Sequence, residues 1–97
     1  MLLHEIADYA VAERTRNIPE LAFHWAKRAV IDWCATTAPG SIIQPATGLT
    51  LALGEDIGHG QARLFPSAAR ATVRSAAIIN AAASHTVEFD DIFRDAI

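Results

Sequence analysis

The sequence predicts an all-α fold, a short bundle of about four helices with one short extended arm near residues 61–65. Three observations carry that reading. Alanine is the commonest apolar residue and aromatics make up only 7% of the chain, which suits closely spaced helices better than branched and aromatic strands. Apolar residues recur at helical spacing in several segments. Proline and glycine gather between those segments, where helices start and stop.

The first helix is expected over about Leu2 to Arg14, with Leu3, Ile6, Ala7 and Ala10 on one face and Glu5, Asp8 and Glu13 elsewhere. Thr15, Arg16 and Asn17 interrupt it. Pro19 and Glu20 then suit a new start, with proline at the first helical position and an acid in the first turn. The second helix should reach about Ala38, where Pro39, Gly40 and Ser41 stop it. Ala22, Trp25, Ala26, Ala29 and Trp33 form its expected core stripe, with Lys27 and Arg28 pointing away. A third helix should run from near Pro45 to the Gly58, His59, Gly60 cluster, each internal glycine weakening it by roughly 1 kcal/mol. Gln61 to Phe65 alternates and reads as the extended arm.

The fourth helix is expected from about Ala68 to Phe89. Its middle, Ala76 to Ala83, is apolar all round except for Asn80, and such a helix needs cover on every side. A chain of 97 residues buries only roughly 60–65% of its unfolded surface. The sequence therefore asks for more protein, from further chain or from a partner such as a second copy in a homodimer.

Charge and composition exclude several classes. A net charge of −3 gives no polybasic footprint for nucleic acid. The longest uncharged stretch, Trp33 to Gly54, holds Pro39, Gly40, Gln44 and Pro45, so no membrane span is expected. Met1, Leu2 and Leu3 run straight into His4, Glu5 and Asp8 without the basic and apolar regions of a leader, which leads us to expect a cytoplasmic chain. Cys34, the lone cysteine, can form no internal disulfide and reads as a small core residue.

The segment that promises chemistry is His85-Thr86-Val87-Glu88-Phe89-Asp90-Asp91-Ile92-Phe93-Arg94-Asp95. If the helix ran through Glu88, that acid would sit at its negative end, unfavourable by about 0.3–1 kcal/mol. Crowded carboxylates also oppose one another's ionisation. His85 and Glu88, three apart, would share a face. Rules broken at the end of a buried element mark functional sites. On the other reading, Asp90 and Asp91 cap a following helix and Arg94 pairs with Asp90. These residues by themselves weigh the two readings evenly. A metal site is not expected, because di-iron bundles use paired Glu-x-x-His motifs and here the reversed order occurs once. His59 has no second ligand at a useful spacing, and His4 and His24 read as surface or boundary residues. Asn80 should make an inter-helix hydrogen bond, and Asp32 an ion pair with Arg28 one turn back.

Taken in order, three stretches resemble the start of MmgE/PrpD-family proteins, which include 2-methylcitrate dehydratase, cis-aconitate decarboxylase and iminodisuccinate epimerase. Ala26-Lys27-Arg28-Ala29-Val30-Ile31-Asp32-Trp33 is similar to the family's basic residue, apolar run and aspartate in its second helix. The arm from Gly60 to Pro66, leading into Ala76-Ala77-Ile78-Ile79-Asn80, resembles its Ala-Ala-x-x-Asn helix. The most specific stretch, His85 to Asp91, resembles His-x-x-(Asp/Glu)-x-Asp-Asp.

The resemblance implies that residues 1–97 are the amino-terminal part of a large helical domain, with a smaller α/β domain lying outside this chain. It implies removal or relocation of groups next to carboxylates in small di- and tricarboxylic acids, by a hydro-lyase, decarboxylase or epimerase that needs no metal or organic cofactor. Glu88 falls on the acid that lines the family's pocket, Asp90 and Asp91 on its paired aspartates, and His85 on the opening histidine. Glu88 and Asp91 are the expected catalytic groups, with His85 and Asp90 contacting substrate. Ile92 stands where members carry threonine and offers no hydroxyl. The family's further histidine, lysine and tyrosine residues lie downstream, so the 97-residue chain alone is expected to be inactive. The alternative is a non-catalytic helical module that assembles through its apolar fourth helix.

Overall fold

The computed structural model describes residues 1–88. Its elements are α1 (Leu2–Glu13), α2 (Glu20–Gly40), α3 (Ala46–Ala52), a 3-10 turn (Gly54–Asp56), β1 (Ile57–Arg63), β2 (Arg70–Ala71) and α4 (Val73–His85). The chain is mainly helical, as expected, but it also holds a two-stranded antiparallel sheet, β1 against β2. Residues 61–63 of the expected arm at 61–65 are thus the end of a longer strand, and Leu64 and Phe65 follow it.

The third helix stops well short of its expected end. α3 closes at Ala52, and the 3-10 turn redirects the chain into β1. Gly58 lies at φ +88, a conformation that suits glycine and starts the strand where the sequence suggested a helix stop. Ile57 and Ala62 both align with Ala71, so β1 bulges between them. Gly60 sits inside that bulge, where a Cβ would overlap the Ala71 carbonyl.

The core lies where α4 meets the sheet and α3. Leu64, Ala71, Ala76 and Ile79 are buried together, with Leu49, Leu53, Ile57 and Ala62 packed around them. α4 is therefore covered on one side, while Ala77, Ile78 and Ala81 on its other side are exposed. The C-terminal half of α2 crosses α4 at close range. Thr37 and Gly40 are buried there, and a Cβ on Gly40 would overlap the carbonyl of Ala83.

The expected core stripe of α2 is corrected by this geometry. Ala22, Trp25, Ala26 and Ala29 are exposed, while Trp33 is 38% exposed and its ring meets that of Phe65 at 5.1 Å. Helical periodicity locates an apolar face but not what covers it, and among the described residues no other element covers this half of α2. Asp32 and Arg28 form no ion pair; the Arg28 guanidinium lies 5.2 Å over the Trp25 ring instead. Cys34 is half-buried. Among the described residues no helix is long and apolar enough to cross a membrane.

The Gly40 contact yields a direct test. On an open helix, Gly40→Ala would be favourable by about 1 kcal/mol. Here the added methyl must force α2 and α4 apart, so the variant should lose about 1–3 kcal/mol of stability. A urea midpoint at or above that of the parent would show that the helices do not meet backbone to backbone at this point.

Candidate functional site

The candidate site lies at the C-terminal end of α4, and three attachments fix where that end points. At the N-terminus, Thr72 caps the helix by accepting a hydrogen bond from the Ser75 backbone N–H at 3.4 Å. In the middle, Asn80 holds the segment between the strands: its Oδ1 accepts from the Phe65 N–H at 3.0 Å and its Nδ2 donates to the Arg63 carbonyl at 2.9 Å. Near the C-terminus, Ala83 is buried against Gly40 of α2. Asn80 thus finds its partners in the backbone at the end of β1 and just after it, not in a neighbouring helix as expected.

α4 began and ended inside its expected limits, and both differences have local causes. It starts at Val73 because Arg70 and Ala71 are drawn into the sheet. It ends at His85, followed by Thr86, whose hydroxyl donates back to the Ala82 carbonyl at 2.6 Å. The chain then turns, and the Glu88 N–H donates to the His85 carbonyl at 3.1 Å. Glu88 itself takes a positive φ of 57, in the left-handed region. That conformation costs a side-chain-bearing residue roughly 1–2 kcal/mol.

The consequence for the predicted site is specific. His85 and Glu88 are both exposed and adjoin the same helix end, but they do not share a helical face. Glu88 is carried off the helix, so the expected unfavourable position within the last turn does not arise. Asp90 and Asp91 lie outside the described residues. Among the described residues, no three His, Cys, Asp or Glu side chains come together as metal ligands would.

Sequence reasoning missed a polar cluster at the opposite end of α4. Ser75, fully buried, donates its hydroxyl to Asp56 Oδ2 at 2.5 Å, and Thr72 donates to the same oxygen at 3.2 Å. The Ser75 hydroxyl is the main reason that the Asp56 carboxyl sits below the usual carboxylate range, and it outweighs the opposing effect of partial burial. Thr72, Arg74 and His59 act in the same direction. This cluster fastens the 3-10 turn to the start of α4. Thr72 followed by an apolar helical run was the available signal, obscured by an expected start at Ala68.

Two predictions test the two ends of α4. Asp56 binds its proton less tightly when folded, so its contribution is present above the unfolded carboxylate pKa of about 3.9 and fades as pH falls through the folded value. Urea midpoints taken from pH 6 downwards should therefore drop in the acid range, and Asp56→Asn should flatten that drop; an unchanged profile would dismiss the cluster as a fastening. At the other end, Glu88→Gly should relieve the left-handed strain and raise stability by about 0.5–1 kcal/mol, net of glycine's greater unfolded-state entropy. Glu88→Gln, which keeps the Cβ, should not. Equal midpoints for the two variants would rule out strain at this residue.

One comparison with known proteins identifies the family of the chain. The family model described as the MmgE/PrpD N-terminal domain matches residues 4–97, which takes in every element above except the first two residues of α1, and the whole His85 to Asp91 segment. Neither the curated proteins nor the solved structures gave a match.

Proposed function

Because the chain belongs to the MmgE/PrpD family, we propose that it supplies one wall of an active site for small di- and tricarboxylic acids. The observation that carries the reading is the firmly attached helix α4, which delivers His85 and then a strained Glu88 at one exposed end. A group held in a costly conformation at the end of a rigid element is a common feature of functional sites.

The chemistry proposed is lyase or isomerase chemistry next to a carboxylate, of the 2-methylcitrate dehydratase type. Removing a proton α to a carboxylate needs a positioned base and positive charge to hold the developing enolate-like oxygens. Glu88 and Asp91 are proposed to move the proton, with His85 and Asp90 contacting the substrate. The positive charge is proposed to come from protein beyond these residues, since Arg94 is the only Lys or Arg within or after the motif. No residue here is proposed to hold a metal or organic cofactor.

A second reading rests on a different observation. The apolar side chains of α1 and of the first half of α2 are exposed, from Leu2 and Leu3 through Phe23 to Val30. A surface of that kind marks an interaction site, so a helical assembly module remains the alternative. Its expected interface moves from α4 to these two helices.

Activity decides between the readings. Dehydration, decarboxylation and epimerisation of 2-methylcitrate, citrate, cis-aconitate and iminodisuccinate should be assayed with the complete gene product. Glu88→Gln and Asp91→Asn should each lower turnover at least about 100-fold, as loss of a general acid or base does. Parent-like rates in both variants with every accepted substrate would refute the catalytic assignment. The isolated 97-residue chain should turn over none of these acids, because catalytic groups that act as a unit fail together.

A further inference from the structure

α4 is built from few kinds of side chain. Between Ser75 and His85 it reads Ala76-Ala77-Ile78-Ile79-Asn80-Ala81-Ala82-Ala83-Ser84. The buried members of that run are Ala76, Ile79 and Ala83. One residue earlier stand Ser75, Ile78 and Ala82, a set of nearly the same size and shape. Close packing discriminates between side chains of different volume, so this face barely distinguishes the observed setting of the helix from one displaced by a residue. Gly40 is no stricter, because it meets the backbone of Ala83, and Ala82 offers the same backbone and the same methyl group.

Asn80 breaks that degeneracy. Its Oδ1 accepts from the Phe65 N–H and its Nδ2 donates to the Arg63 carbonyl, so one amide reads a donor and an acceptor on another part of the chain. Its neighbours Ile79 and Ala81 can do neither, and Ser84 donates within α4 to the Ala81 carbonyl. Among the described residues, Asn80 is thus the side chain between Ser75 and His85 that hydrogen-bonds another segment. The bond from Ser75 to Asp56 is made about 15 Å along the helix from His85, whereas Asn80 stands about 7.5 Å from it.

We infer that Asn80 is a positioning residue: it keys the setting of α4, and thereby the place of His85 and Glu88, while apolar packing supplies stability without selecting that setting. Fixing the register of a helix, at some cost in stability, is the best-attested use of a single polar side chain among apolar neighbours. Displacement by one residue would carry the end of α4 about 1.5 Å along its axis and turn it by about 100°. A misplacement of about 1 Å is enough to cost an enzyme about 100-fold in rate. The inference rests on the reading of His85 and Glu88 as site residues, so its test includes a readout that does not depend on turnover.

In the complete gene product, Asn80→Leu removes both bonds at similar volume, and Asn80→Ala removes them without overpacking. Ile79→Val, beside Asn80 in the core, is the control for lost stability alone. Both Asn80 variants should melt cooperatively, and their turnover of the accepted polycarboxylate should fall about 100-fold, in kcat more than in KM. Ile79→Val should stay within about twofold of the parent. Crystal structures give the second readout: in the parent Ala83 lies against Gly40, and in the Asn80 variants another residue of α4 should take that place. Parent-like kcat in both Asn80 variants, or α4 unmoved in both, overturns the inference. So does failure of both to fold, or an equal loss of kcat in Ile79→Val, since Asn80 would then act through stability. If the parent turns over none of the acids, the reading of the site fails, and the position of α4 in the variants still decides this inference.

Discussion

The close crossing of α2 and α4 at Gly40 and Ala83 is the constraint on which the rest of the arrangement depends. Two helices can meet this closely only where one of them lacks a side chain, and Gly40 provides that place at the last residue of α2. The contact lies two residues before the end of α4 at His85. A helix end is ordinarily the part that frays, with unpaired carbonyls and few neighbours. Here the last turn is pressed against a second helix and closed by the Thr86 hydroxyl, so the exit direction of the chain after His85 is set by packing. Asn80 and the Asp56 cluster add independent attachments further up the helix, and sliding or rotation of α4 would break all three.

The helices were legible in the sequence to the extent that their signals are local. α1 and α2 follow their apolar spacing and the Pro19-Glu20 start to within two residues of the expected ends. The sheet was harder to see because, Ile57 apart, neither strand carries the β-branched and aromatic residues that mark strands. β1 reads Ile-Gly-His-Gly-Gln-Ala-Arg, and its glycines look like a turn until the Ala71 backbone is placed against Gly60. The long-range polar bonds left no local pattern. Asn80 stood out as an intruder in an apolar run, but its partners, 15 and 17 residues away, are backbone groups with no identity in the sequence.

The candidate site was legible as a motif and illegible as a geometry. Its crowding of one histidine and several acids after a buried helix was visible, as was the resemblance to a family whose model covers residues 4–97. What periodicity could not supply was the point where helical geometry ceases. Three residues on one helical face and three residues across a helix end are the same spacing in sequence but different directions in space. The positive φ of Glu88 turns the first into the second.

That difference changes what kind of group Glu88 can be. A carboxylate in the last turn of α4 would face the negative end of the helix dipole, which opposes its ionisation and weakens with each added residue of separation. Three residues past His85, Glu88 is exposed and lies outside the last helical turn, while the backbone that bears it is still tied to the His85 carbonyl. Its position is therefore inherited from the helix, although its own backbone is not helical. The strain at Glu88 is the cost of that arrangement, and it falls on one residue while the packed crossing behind it stays unstrained by any non-glycine positive φ among the described residues.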